Sequence, residues 1–299
     1  MAITDLFLLP EGRLRAGWRL ALFVVVFAGA MFVVSLLVSF TGQVWSVAVQ
    51  VVITAGATGS ATWLLLRWME RAPFVEVGLR WKRRTPAELG QGFAVAIALA
   101  GGATAIEFGI GAIRFESRSG GDSASVVMTV LLLSGLLALG ATTEEVLFRG
   151  YAFQRLVEGS NGTVAILVSS AVFGGLHISD PSATRLSTLN TVLAGALLGI
   201  AYLKTRALWW PMGFHFGWNW ALAVLGHPVS GLEVAQLPWE IAIVSEPAWV
   251  HGGRYGPEGG VVATAVLLIG TTGTFFLLRR RESASRTPPS GPEASPGEE

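Results

Sequence analysis

A chain of 299 residues that is 52% hydrophobic and only 14% charged, with a mean hydropathy of +0.57, is too apolar for an ordinary soluble domain. Its net charge of +1 gives no basic excess of the kind nucleic-acid binding needs, and with no cysteine it has neither a thiol nucleophile nor a disulfide. The composition implies an integral membrane protein, all-α and polytopic.

A spanning helix needs about 20 mostly apolar residues, because lipid cannot hydrogen-bond the backbone and the helix must satisfy itself. Eight segments qualify, at roughly 18–40, 44–66, 89–112, 124–146, 163–179, 186–203, 208–226 and 260–278. The first two share an uncharged stretch from Leu20 to Leu66, divided at "TGQ". The first is too long, and lacks a small-residue cleavage signal, for a removable signal peptide, so it is expected to be retained. Between the second and third, "RAPFVEVGLRWKRRTP" is a basic connector suited to an anionic membrane surface. An outer loop at 227–259 offers Trp239 and Trp249 as interfacial anchors. Glu107, near the end of the third segment, is expected to snorkel or to pair with Arg114. His227 and His251 are given no role. The Pro-, Ser- and Glu-rich tail 282–299 cannot bury a core and is expected to be disordered and cytoplasmic, leaving 1–281 as one transmembrane domain with its motifs in 124–226.

Lys and Arg sort by side. With the N-terminus cytoplasmic, that side collects sixteen, among them Arg13, Arg15, Arg19, Arg155 and the run Lys82 to Arg84; the other keeps four, Arg114, Arg118, Arg185 and Arg254. This bias puts both termini in the cytoplasm of a multi-pass protein. The Ala-, Val-, Gly- and Arg-rich usage suggests a bacterial plasma membrane.

Ionisable groups at bilayer depth cost at least about 2.5–3.5 kcal/mol on insertion scales, so those inside the spans are functional candidates. Glu144, Glu145 and Arg149 end the fourth segment, His177 closes the fifth, and His215 with Asn219 lies in the seventh. Glu145 and Arg149 are four residues apart, about 40° around a helix, and can pair; Glu144 is rotated about 140° from Arg149 and points elsewhere. His215 and Asn219 stack on one face. At 1.5 Å per residue Glu144 and His215 lie about 16 Å and 13 Å from the cytoplasmic ends of their helices, and His177 about 21 Å along its own. One carboxylate, two imidazoles and an amide in a dry cavity suit hydrolysis by activated water: a buried glutamate as general base and a donor pair for the oxyanion.

The ordered set "EEVLFR", "FGGLH" and "HFGWN" resembles the CPBP family of intramembrane metal-independent glutamic endopeptidases. That family includes the type 2 CAAX prenyl protease and bacterial members named for bacteriocin processing or immunity. Its motifs E-E-x-x-x-R, F-x-x-x-H and H-x-x-x-N or D are complete here, in order, over roughly 140–220. The resemblance implies about eight transmembrane helices around an intramembrane catalytic cavity that faces the cytoplasm. It assigns Glu144 as the base that activates water, His177 as the group that holds that water, and His215 with Asn219 as the oxyanion site. Glu145 and Arg149 become the brace. It implies no cofactor and no metal. The partners implied are the lipid bilayer and a peptide or protein substrate at the membrane, with lipidation of that substrate left open. Two rival readings stand beside it: a metal-dependent membrane protease, since Glu144, Glu145, His177 and His215 are potential ligands, and a non-catalytic scaffold or immunity protein of the same fold. Structural duties also compete, an ion pair for Glu145 and Arg149 and interhelical hydrogen bonds for His215 and Asn219.

Overall fold

The computed structural model describes residues 4–40, 46–118, 122–244 and 247–286. The apolar runs become helices: α1 Ala16–Phe40, α2 Val47–Leu65, α3 Thr85–Gly109, α4 Ser123–Arg149, α5 Tyr151–Gly159, α6 Gly162–Leu176, α7 Arg185–Thr205, α8 Trp209–Leu225 and α9 Val261–Arg286. Several begin where a side chain takes up an orphan backbone N–H. Ser46 accepts from Val49, Asp122 from Ser125 and Asn161 from Val164, while Thr184 and Ser187 form a capping box. A two-stranded antiparallel ribbon, β1 Ile113–Ser117 with β2 Trp239–Ile243, ties the connection after α3 to the one after α8.

Seven helical stretches are long and apolar enough to cross a membrane. One of them, Ser123–Gly159, joins α4 and α5 across Gly150, whose backbone leaves the helical region there. The eighth expected segment forms α8, which at 17 residues, about 25 Å, is at the short end of what a span takes. Protein, not lipid, surrounds it: Trp210, Phe214 and Leu222 are buried in the core it shares with α3, α7 and α9. The division at "TGQ", 41–43, lies outside the described residues. Of the tail expected to be disordered, 282–286 instead continue α9 as helix, and 287–299 lie outside the described residues.

The closest approach is between α3 and α8. A Cβ on Gly92 would lie 2.2 Å from the Trp210 carbonyl, and one on Gly213 would lie 2.2 Å from that of Leu89. Small residues let helix backbones meet where no hydrophobic drive separates helix from lipid. Gly213 and Gly217 stand four apart on the face turned to α3; His215, two residues from each, is about 200° away and so points to the opposite face with Asn219. α6 and α7 pair in the same way, Gly174 against Val192 and Gly195 against Ser170.

The end of the bundle nearest the N-terminus carries an ionic knot. Arg19, fully buried, donates to Glu70 at 2.7 Å and also pairs with Glu158. Arg155 reaches Glu70 at 2.7 Å, and the Tyr151 hydroxyl donates to it at 3.0 Å. Several arginines counted as a basic side are therefore neutralised by carboxylates at that same end. The basic connector docks through buried Val77 and a hydrogen bond from Leu208 N–H to the Gly78 carbonyl. Trp249 is exposed as an anchor would be, whereas Trp239 turns inward and donates to the Val224 carbonyl at 2.8 Å. Glu107 neither snorkels nor pairs with Arg114, which bonds Glu116 at 2.6 Å. Its side chain is buried in a pocket shared with His227, and neither of its oxygens has a described partner.

Candidate functional site

Three helices deliver the candidate residues to one place. Glu144 from α4, His177 at the end of α6, and His215 with Asn219 from α8 all line a single cavity of about 270 Å³. Glu145 and Arg149 do not line it; they lie beneath, both with no exposed side-chain surface. The helical spacing that separates the two glutamates thus produces two environments, one open and one sealed.

The sealed part is a chain of contacts. Arg149 donates to Glu145 Oε1 at 3.1 Å and to the Gly195 carbonyl at 3.2 Å, its guanidinium standing 4.6 Å from the Phe173 ring centroid. That same Glu145 oxygen accepts from His215 Nδ1 at 2.9 Å. A donor on Nδ1 fixes the ring, and Nε2 is turned toward the open side, 3.7 Å from Glu144 Oε2. The Glu144 side chain is 35% exposed, and its Oε2, though itself buried, has no hydrogen-bond partner among the described residues. An oxygen without a protein partner in a polar cavity is placed to take a proton from water or substrate.

His177 is oriented by its own helix. Its Nδ1 lies 2.7 Å from the Phe173 carbonyl, so Nδ1–H donates to the last turn of α6 and Nε2 is left as an acceptor. Phe173, the first residue of the F-x-x-x-H pattern, also packs its ring against both imidazoles, with centroids 4.7 Å from His177 and 6.1 Å from His215.

The cavity has two further carboxylates that motif reading does not find, Asp180 and Glu258. Glu258 is held by the Ser230 N–H at 2.6 Å, the Ser230 hydroxyl at 3.2 Å and Trp218 Nε1 at 3.0 Å. Burial raises the Asp180 carboxyl above the usual range; His177 pulls it back, while Glu258 and Glu144 add to the rise. Asp180 follows His177 by three residues, in a turn, which is its one legible signal. Glu258 is 81 residues from His177 in a long loop, and no spacing points to it.

The arrangement defines a polytopic helical membrane protein with an acid and imidazole site inside the bundle. Residues 125–221, which hold all but the outermost ends of α4 and α8 and every motif residue, match the family model described as type II CAAX prenyl endopeptidase Rce1-like. A Bacillus subtilis (strain 168) protein named "Putative membrane peptidase YdiL" is 28% identical over 137 residues, 45% of this chain and 53% of that protein. The chain thus spans about half the length of this curated relative. No solved structure matches the chain.

Proposed function

We propose that the chain is a membrane endopeptidase that hydrolyses a peptide bond with water activated by Glu144, without a metal. The observation that carries this reading is the meeting of Glu144, His177, His215 and Asn219, from three helices, in one cavity within the segment matched by the endopeptidase family. The relative named as a membrane peptidase supports the same class.

The chemistry follows from the geometry. A water between Glu144 and His177 Nε2 gives one proton to the Glu144 carboxylate as its oxygen attacks the scissile carbonyl carbon. The carbonyl oxygen becomes an oxyanion. With Nδ1 committed to Glu145, His215 offers an N–H at Nε2 only as the imidazolium, a charged donor beside the Asn219 amide. As the intermediate collapses the C–N bond breaks, and Glu144 returns its proton to the leaving nitrogen. Glu145 and Arg149 touch neither substrate nor water; they position His215. We place the protein in a bacterial plasma membrane with both termini cytoplasmic, on the strength of the charge asymmetry.

Glu144→Gln tests the reading, because it keeps the shape and removes the base. Comparison of membrane peptidomes from cells with the wild-type protein and with this variant should show cleavage products only for the wild type, with both proteins equally abundant in the membrane. A variant that complements a deletion fully would leave the scaffold or immunity reading in its place.

A further inference from the structure

The floor of the cavity lies near the middle of the bundle and its rim at one end. The floor is Glu144 and His215, resting on the sealed Glu145 and Arg149, with Arg149 bonded to Gly195 near the middle of α7. From there the walls rise through the early turns of α2 at Val47 and Gln50 and of α7 at Asn190. They finish at Asp180, Ser230 and Glu258 in the connections after α6 and α8. α2 and α7 begin at this end, and α6 and α8 finish there. The other end holds the ionic knot of Arg19, Glu70, Arg155 and Glu158. Segments 66–85, 149–162 and 203–211, which form that other end, contribute no described wall residue.

The cavity expected to face the cytoplasm therefore faces away from the side on which the charge count puts the termini. Its wall is also net negative. It carries three carboxylates, Glu144, Asp180 and Glu258, against the one imidazolium assigned to His215, whose charge Glu145 balances from beneath, and among the described wall residues no lysine or arginine. A free C-terminal carboxylate meets three anions there and only that one paired cation; an uncharged or basic stretch is not repelled.

We propose that the substrate enters from the non-cytoplasmic side, as an internal peptide segment that is neutral or basic, and not as a chain end bearing a free carboxylate. The proposal rests on the hydrolytic reading of the cavity, and its test does not require turnover.

Because the chain has no cysteine, a single one reports position without background. Leu232→Cys places a thiol on the rim, and Arg83→Cys places one on an exposed residue at the opposite end. Intact cells are treated with two membrane-impermeant thiosulfonates, a trimethylammonium-ethyl and a sulfonatoethyl reagent. Leu232→Cys should react without permeabilisation and Arg83→Cys only after it. At Leu232→Cys the cationic reagent should be faster by about tenfold, a bias that shrinks when Asp180→Asn is added. Reaction of Leu232→Cys only after permeabilisation overturns the side of entry, and equal rates for the two reagents overturn the charge selection. Val234→Cys, also on the wall, serves if Leu232→Cys does not accumulate. Repeating the labelling in Glu144→Gln separates the two readings. The pattern should persist there without hydrolysis, whereas continued hydrolysis by that variant defeats the catalytic assignment and leaves the labelling result standing.

Discussion

His215 and Arg149 meet at one oxygen: Glu145 Oε1 accepts from the imidazole Nδ1 at 2.9 Å and from the guanidinium at 3.1 Å. The carboxylate is thus both the counter-charge of a buried arginine and the orienting group of a residue in the open cavity. Glu145→Gln is expected to do two separable things. Breaking a buried pair costs about 3–5 kcal/mol, so the folded protein in the membrane falls. The molecules that remain lose turnover, because an amide can pair with neutral His215 but does not hold an imidazolium. Adding Arg149→Met removes the stranded charge and should restore the amount of protein without restoring turnover. Quantitative blotting of membranes beside a cleavage assay distinguishes the two effects; if the double variant recovers both, the orienting role is wrong.

Much of this site was legible in the sequence, and the reasons are geometric. The i,i+4 spacing of Glu145 and Arg149 gave their pairing, and the 100° advance per residue put Glu144 on another face. What the spacing could not give was the link from Glu145 to His215, which joins α4 to α8 across 70 residues and depends on how those helices pack. The eighth expected segment is present as α8, and it is short for a related reason. A helix shielded by protein need not match the bilayer, so its length is set by its neighbours. Asp180 and Glu258 were invisible because they reach the cavity from connections, where no periodicity relates them to the motifs.

Gly213→Ala is expected to damage the site without touching it. The new methyl would lie 2.2 Å from the Leu89 carbonyl oxygen, a backbone atom that cannot swing aside, so α8 must move from α3 and carry His215 with it. Overpacking of this kind costs about 1–3 kcal/mol. Gly101→Ala in α3, with nothing within 4 Å of the added carbon, is the matched control and should be neutral or slightly stabilising. Thermal unfolding in detergent reads both, and equal shifts for the two variants would contradict the packing argument.

Through His227, acid should weaken the end of the molecule that carries the β-ribbon. Burial lowers this imidazole from its ordinary value of 6.5 to about 4, and its Nε2 lies 3.0 Å from Thr104 Oγ1, with Glu107, His251 and Arg254 lining the same pocket. The folded state therefore binds fewer protons than the unfolded state between these values. Stability is lost as pH falls from about 6.5 toward 4, by up to on the order of 3 kcal/mol, and is unaffected by this group above that window. His227→Gln should flatten the pH dependence of the melting temperature in that range. An unchanged slope would assign the acid sensitivity to other groups.

Chelation distinguishes the two hydrolytic mechanisms. Three polar atoms at the floor already have a duty that a metal would disturb. His215 Nδ1 serves Glu145, Glu145 Oε1 serves Arg149, and His177 Nδ1 serves the Phe173 carbonyl, which leaves two Nε2 atoms and the Glu144 carboxylate facing the cavity. Those three are of zinc-ligand type, but among the described residues no three such side chains are grouped closely enough to hold one ion, and with Glu144 as a ligand and not a base Asn219 would have no oxyanion to share with His215. With Glu144 as the base, purified protein dialysed against a strong chelator should keep its full cleavage rate, and elemental analysis should find no stoichiometric zinc. A loss of rate that zinc alone restores would move Glu144 from general base to ligand and replace the mechanism proposed here.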